Sequence, residues 1–413
     1  DTLMLSSVND QAVGAVGTAN TYIGIFIIMF SVISSGMVAV MTQNIGAGRP
    51  GVAYQARQLG LTFNAVLGII VSLILTFGAG AILAGVGVAD ALMQPARTYL
   101  QIVGGFCILN ALIPICSSYL RAFGFSKEPL YASIIGNVIN FCLNAFFLFV
   151  LHKGVAGVAT ATVISRIINL VIVVLLGAVL VKAKQHPERE RNREVMGQII
   201  RIGLPSACET AIYNVSMTLV IRFLNQMDAQ GLNVTARSYT MQITNFSYCV
   251  GAALAQANAI MTGWHIGAKE YDACDRGTKK AAVIGVIVAV ILETVFTLCS
   301  GWIMQLFSKD PQMVSLVGKL LAIDIVLEIG RVTNLVYGQA LKTSGDAVFP
   351  VVMGACFMIL CSVGGTYLFG IRLGLLAVGA YIGMAGDECV RAVGMYLRWK
   401  SGKWKEKGLV KSR

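Results

Sequence analysis

Apolar stretches long enough to cross a hydrocarbon core of about 30 Å recur from one end of this 413-residue chain to the other. They fall at Val13–Gln43, Leu59–Leu83, Ala91–Leu120, Leu130–Leu151, Val155–Val181, Val195–Leu224, Ala236–Thr262, Ala281–Phe307, Val314–Leu341, Val348–Phe369 and Leu373–Leu397. A backbone surrounded by lipid must satisfy its own hydrogen bonds, so runs of this kind have to be helices. With 56% hydrophobic and 13% charged residues, the chain is too apolar for a soluble protein of its size. Asp1–Ser7 reads as the tail of one more segment, because the chain starts without Met and partway through an apolar run. The expectation is an all-α polytopic membrane protein with twelve transmembrane helices, the first truncated.

The net charge of +12 would suggest a polyanionic partner in a soluble protein, but its distribution argues otherwise. If the loop from Asn44 to Arg57 is cytoplasmic, 22 of the 32 Lys and Arg residues fall on inside connections and the C-terminus, and seven on outside ones. That asymmetry is the positive-inside bias. It places the C-terminus in the cytoplasm and the protein in the plasma membrane, with membrane lipid as a partner and no nucleic acid. The basic run Lys400–Lys405, with Trp404 in it, suits an interfacial tail lying on anionic lipid. Ten Cys are scattered through apolar segments without CxxC or Cys/His spacing, which reads as structural thiols rather than a metal or redox centre.

The chain repeats itself at an offset of 221 residues. Ile45-Gly46-Ala47 falls on Ile266-Gly267-Ala268, Leu120 and Gly124 fall on Leu341 and Gly345, and Pro129 falls on Pro350. That offset spans six helices, an even number, so the halves enter the membrane in the same direction as parallel repeats. The expected organisation is an N-lobe at 1–181, a linker at 182–194, a C-lobe at 195–400 and a basic tail at 401–413. KAKQHPERERNR, Lys182–Arg193, reads as a solvated connector. The glycines at 46, 124, 267 and 345, with Pro50, Pro129 and Pro350, read as helix terminators.

Polar residues inside these segments are the candidate site. Asn137, Asn140 and Asn144 share one helix face, and amides facing lipid are costly, so an oxygen-lined cavity is suspected. The same 221 offset sets Asn140 and Asn144 against Cys361 and Gly365, which leaves the helix without an amide counterpart. The second half is richer in charge: Glu209; Asp324, Glu328 and Arg331; Asp387, Glu388 and Arg391. Each would cost several kcal/mol unpaired in hydrocarbon, so these residues must pair or face water. Glu209, Glu328, Arg331 and Asp387 are expected to form one buried network, with Asp324 beside Glu328 as the protonatable pair. Arg166 has no acid within a turn.

Several stretches in order resemble the multidrug and toxic compound extrusion (MATE) family of secondary transporters: DTLMLSSVNDQAVGAVGTA at the start, QNIGAGR at Gln43–Arg49, LRAFG with Pro129, GVAGVATATVIS up to Ser165, IGLPSACE at Ile202–Glu209 and LKTSGDAVFP at Leu341–Pro350. The resemblance covers nearly the whole chain. It implies two pseudo-symmetric six-helix bundles around a V-shaped central cleft, and alternating access that couples export of small organic, often cationic compounds to inward Na⁺ or H⁺ flow, with no cofactor.

The resemblance also carries over a cation site: Asp1 for the helix 1 acid, Asn140 for the helix 5 amide and Thr162 for the helix 6 hydroxyl. Asn144 stands where some members have a second acid, which tilts the expectation towards Na⁺ over H⁺ in this lobe. In the second lobe, Glu209, Tyr213, Asp324, Glu328, Arg331 and Asp387 are the candidates for substrate binding or proton coupling. Arg331 stands near the family's acid on that helix. A monomer is expected. A flippase for lipid-linked intermediates would need an array of Arg, and a dedicated metabolite exporter is a further alternative. An intramembrane enzyme is disfavoured because His152, His186 and His265 lie at loops or helix ends.

Overall fold

In the computed structural model, the described residues are 4, 10–85, 90–182, 186–228, 231–305, 307–308 and 310–410. They form helices and no strand. The long elements are α1 (Asp10–Gly46), α2 (Pro50–Phe77), α3 (Ala79–Gly85), α4 (Asp90–Gly105), α5 (Ile108–Ala122), α6 (Lys127–Ala145), α7 (Gly154–Leu180), α8 (Asn192–Met227), α9 (Leu232–Gly267), α10 (Tyr271–Leu298), α11 (Ser300–Met304), α12 (Pro311–Thr343), α13 (Val348–Phe357) and α14 (Leu376–Lys400). Each of the eleven complete apolar segments is a helix or a broken run of helices, and Asp1–Ser7 lies outside the described residues except for Met4. The breaks are local: α4 and α5, each with a Pro inside, meet at a bend of 43°.

Among the described residues, six helices are long and apolar enough to cross a membrane on composition alone, or seven if the bent pair α4–α5 counts as one span. The other long helices, α8, α9, α12 and α14, fall short because they carry polar and charged residues. Many of these are turned inward onto protein, including Arg237, Asp324, Glu328, Asp387 and Arg391. Hydroxyls in the spans mostly bond their own helix four residues back, as Thr76 does to Ser72 and Thr297 to Glu293, at 2.7 Å each.

Contacts divide the chain into two compact units, residues 1–45 with 49–203 and residues 46–48 with 204–413. The first turns of α8 thus belong to the first unit. A Cβ on Gly203 would lie 1.7 Å from the Val32 carbonyl oxygen, and one on Gly36 would lie 2.0 Å from that of Ile199. Bare glycines let α1 and α8 cross backbone to backbone, the close approach that small residues give membrane helices.

The repeat is built into the backbone of each unit. Gly124 and Gly345 are both left-handed, at φ 88° and 99°, and so are Gly48 and Lys269, at 72° and 61°. Phe125 N bonds Leu120 O at 3.0 Å, and 221 residues on, Asp346 N bonds Leu341 O at 2.9 Å. On α2 the exposed row Phe63, Val66, Ile70, Ile74 and Phe77 has its echo on α10 as Ile284, Ile287, Ile291, Val295 and Leu298, the stripe a lipid-facing helix side needs.

Further along, the register slips by one. Lys153 N bonds Phe147 O, and its partner pair is Leu375 N to Phe369 O, 222 residues on. The extra residue enters at the π-helical turn Met358–Val363 that continues α13; a π-bulge is the usual way a helix absorbs one inserted residue. Beyond the bulge the counterpart of Asn144 is Thr366, not Gly365, and Ser362 takes the place expected for Cys361. The register that set the amides against Cys361 and Gly365 is therefore corrected by one residue, and neither new counterpart is an amide. Ser362 and Thr366 are buried, and Thr366 Oγ1 donates to Ser362 O.

Two charged stretches expected at solvent or lipid are also docked on protein. In the first unit, Gln55 on α2 donates to Glu190 O at 2.7 Å and accepts from Glu190 N at 3.0 Å, while Arg49 pairs with Glu190 at 2.7 Å. The linker is thus pinned at Glu190 to the start of α2, while most of its described residues stay exposed to solvent. In the second unit the tail folds back: the Trp404 ring stacks on Trp399 at 4.1 Å and is 1% exposed. Asp346 holds Arg398 at 2.7 Å and Lys407 at 2.9 Å. Burial raises the Asp346 carboxyl, but these two cations outweigh it and hold its pKa below the ordinary value. The tail's aromatic anchor is therefore a protein contact, not a lipid one.

Candidate functional site

In the second unit the charged residues of α12 and α14 meet face to face. Three- and four-residue spacing puts Asp324, Glu328 and Arg331 on one side of α12, and Asp387, Glu388 and Arg391 on one side of α14. Gly330 lets the helices close: a Cβ there would lie 2.7 Å from Cys389 N. Arg391 grips Asp387 with two parallel bonds, Nε to Oδ1 at 2.9 Å and Nη2 to Oδ2 at 3.0 Å, the bidentate geometry that favours Arg. Its Nη2 also pairs with Glu388 Oε1 at 2.9 Å. Arg331 pairs with Glu328 on its own helix and reaches Glu388 Oε1 at 3.7 Å. Asn334 donates to Glu388 Oε2, and Ser362 to Asp387 Oδ2, each at 3.0 Å.

The hub of this network is Glu388, which joins both guanidiniums. Of the four residues expected to share one network, Glu328, Arg331 and Asp387 do so. Glu209 is drawn aside into an ion pair with Lys342, its side chain lying against Gly354 of α13. Tyr213 faces Arg331, and Tyr248 lies under the same guanidinium, its ring centre 5.8 Å away.

Sequence reasoning missed Glu293. It lies on α10, 0% exposed, with neither carboxyl oxygen hydrogen-bonded. Asp324, Glu328 and Arg331 are the charges that act on it. Its signal was present, a lone acid in the apolar run of α10, but no partner at helical spacing drew attention to it. Asp324 Oδ2 and Glu328 Oε2 are likewise buried without a hydrogen-bond partner. The cluster so holds five carboxyl groups, Glu293, Asp324, Glu328, Asp387 and Glu388, around two guanidiniums, Arg331 and Arg391. Fully ionised it would carry an excess of three negative charges away from water, each costing several kcal/mol. Such a site must take up protons or a cation. Among the described residues no three His, Cys, Asp or Glu converge closely enough to hold a metal ion.

In the first unit, α6 and α7 are packed neighbours and bring the expected residues onto adjoining helices. Asn144 Nδ2 donates to Asn140 Oδ1 at 3.1 Å; Asn144 is fully buried and Asn140 half-buried. Thr162 Oγ1 donates to Val158 O at 2.9 Å, and its hydroxyl is also a partner of Tyr99. Asn137 is exposed, and Asp1 lies outside the described residues. Arg166, one turn beyond Thr162, has a buried Nη1 without a hydrogen-bond partner, with Tyr99 and Cys107 as the groups that act on it. The same interior therefore combines amide and hydroxyl groups with a fixed positive charge.

A family model described as MatE matches residues 1–146 and 205–368. The chain is 34% identical over 416 residues to the "Uncharacterized transporter YisQ" of Bacillus subtilis, covering 99% of this chain and 91% of that one. It is 21% identical to the "Probable multidrug resistance protein NorM" of Thermotoga maritima, covering 99% and 89%. Among solved structures, "Crystal structure of MATE in the straight conformation" superposes with a TM-score of 0.88 at 19% identity, covering 98% and 91%. "Outward-facing conformation of a multidrug resistance MATE family transporter of the MOP superfamily" superposes with a TM-score of 0.86 at 18% identity, covering 100% and 91%.

Proposed function

Since the chain belongs to the MatE family of membrane transporters, we propose that it is a cation-coupled antiporter of the plasma membrane that exports small organic, often cationic compounds by alternating access. The observation that carries this reading is the excess of buried carboxyl groups in the second unit. A site with five acids and two guanidiniums is neutral enough to stay buried when it holds protons, and attractive to an organic cation when it has lost them. Proton uptake and substrate release are then two sides of one charge balance, which is what exchange requires. Tyr248 lies under the Arg331 guanidinium of this cluster, and aromatic faces favour organic cations.

The same geometry disfavours a flippase for anionic lipid-linked intermediates, because Arg331 and Arg391 are already committed to carboxylates. Protons are the better-supported coupling ion. The cluster offers carboxyl oxygens without partners but no convergent metal-ligand set among the described residues. Na⁺ at the first unit is the second reading, favoured by the adjacent amides of Asn140 and Asn144 with Thr162 and Asp1. It is opposed by Arg166, one turn beyond Thr162 on the same helix, whose buried guanidinium repels a cation held there.

The test is export of a fluorescent organic cation from proteoliposomes with the H⁺ and Na⁺ gradients imposed independently. Export driven by the H⁺ gradient is the expected result; export indifferent to both gradients overturns the antiporter.

A further inference from the structure

Glu293 is the one acid of the second unit's cluster that α12 and α14 do not supply, and the repeat shows what it replaced. Offset by 221, its position in the first unit is Ser72 of α2. The two sites share their surroundings: both are buried, both lie between the matched lipid-facing residues of α2 and α10, and both have their carbonyl capped by a threonine four residues on, at 2.7 Å in each case. Ser72 is fully used there, since its Oγ accepts from Ile108 N at 3.2 Å. Glu293 is not. Its two carboxyl oxygens have no hydrogen-bond partner, and the side chain is 0% exposed. The same scaffold position is a satisfied hydroxyl in one half and an unsatisfied acid in the other.

The groups around Glu293 define its chemistry. From α12 come Asp324 and Glu328, both negative, and Arg331, whose Nη1 is committed to Glu328. From α9 comes Ser247, whose hydroxyl faces Glu293 although neither group reaches hydrogen-bonding geometry. The short α11 contributes no titratable side chain. A carboxylate without a cation of its own, between two further acids and sealed from water, is held far more cheaply with a proton on it than without.

We propose that Glu293 is the proton-carrying residue of transport: a proton bound to its carboxyl neutralises the cluster in one state, and the organic cation binds when that proton has left. This deepens the antiporter reading and rests on it. Asp324 and Glu328 take a positioning role, since their carboxyl groups make the proton on Glu293 necessary, and Arg331 is held by Glu328 rather than by Glu293. Atoms balance simply: one H⁺ joins the carboxylate, and one H⁺ leaves it when a cationic substrate enters.

The experiment measures equilibrium binding of a fluorescent organic cation to the purified full chain as pH is lowered, together with H⁺-driven export. One competing proton weakens wild-type binding by up to tenfold per pH unit. Glu293→Gln should bind the dye with almost no pH dependence and lose H⁺-driven export at least tenfold, whereas Glu293→Asp should restore the pH dependence. Glu293→Gln retaining both the wild-type pH slope and H⁺-driven export overturns the proposal. A wild-type protein with no H⁺-driven export overturns the antiporter reading itself, a result told apart by the wild-type measurement alone.

A second measurement needs no variant. A hydrophobic carbodiimide reacts with buried protonated carboxyl groups, so mass spectrometry of labelled wild-type protein should find Glu293 modified, with the dye protecting it. Modification confined to Asp324 or Glu328 overturns the assignment.

Discussion

Neutralising Asp346 should release the folded-back tail, and the structure sets the size of the effect. Asp346 is 1% exposed and accepts from Arg398 at 2.7 Å and from Lys407 at 2.9 Å. A hydrogen bond to a charged group contributes about 1.5–3 kcal/mol. The Arg398 side chain is 19% exposed and keeps most of that, whereas Lys407 at 36% is discounted towards a surface pair of about 0.5–1 kcal/mol. Arg398 lies on α14 and stays with Asp346 when the tail opens, so Asp346→Asn costs the tail only the Lys407 pair, about 0.5–1 kcal/mol and close to a two- to fivefold rise in the released state.

Lys403, Lys405 and Lys407 are trypsin sites inside the folded tail, and nicking follows the open population when opening is fast. Cleavage of Asp346→Asn near neutral pH should therefore run about two- to fivefold faster than in wild type, and Lys407→Ala, which loses the same pair, should gain as much at Lys403 and Lys405. An unchanged rate for Asp346→Asn would sink the reasoning and assign the tail to the Trp399–Trp404 stack alone. The pH sign follows from a depressed carboxyl. Its stabilisation is complete above the unfolded value of about 4 and is lost as pH falls through the lower folded value. Hydrogen exchange of the tail amides, corrected for intrinsic rates, should stay flat from pH 8 to 5 and rise only in stronger acid.

Three other outcomes follow from the same geometry. Gly203→Val should prevent the α1–α8 crossing and destabilise or abolish the folded protein, whereas Gly197→Val on the same helix, with nothing within 4 Å of a Cβ, should leave the thermal midpoint within a few degrees. Glu209→Gln leaves Lys342 unpaired at a half-buried site and should cost about 1–3 kcal/mol, read as a lower unfolding midpoint; an unchanged midpoint would mean water already satisfies Lys342. If Arg166 is what opposes Na⁺ in the first unit, Arg166→Met should add a Na⁺ response to dye export, and Asn140→Ala in that background should remove it again.

The register of the repeat shows where sequence comparison stopped being sufficient. Matching Gly124 to Gly345 was sound, because a left-handed turn leaves a glycine in the string. A π-bulge leaves no comparable mark, so the Cys361 and Gly365 alignment missed Ser362 and Thr366 by one residue. Similarly, Lys182–Arg193 and Lys400–Lys405 read as solvated or lipid-bound because charge reports average surroundings. Gln55 and Asp346, far away in sequence, decided where each stretch is also pinned to protein.

What the sequence determined by itself was the part governed by local rules. Hydrophobic length dictated helices, a 221-residue echo dictated two halves, and acids at three- and four-residue spacing dictated which faces of α12 and α14 had to be covered. What only the tertiary structure decided was which charges meet. Asp387 and Glu388 share Arg391, Glu388 rather than Glu209 links to Arg331, and Glu293 approaches α12 from a helix whose apolar run shows one acid and no partner. Burial and pairing are properties of several helices at once, and no spacing within one of them records it.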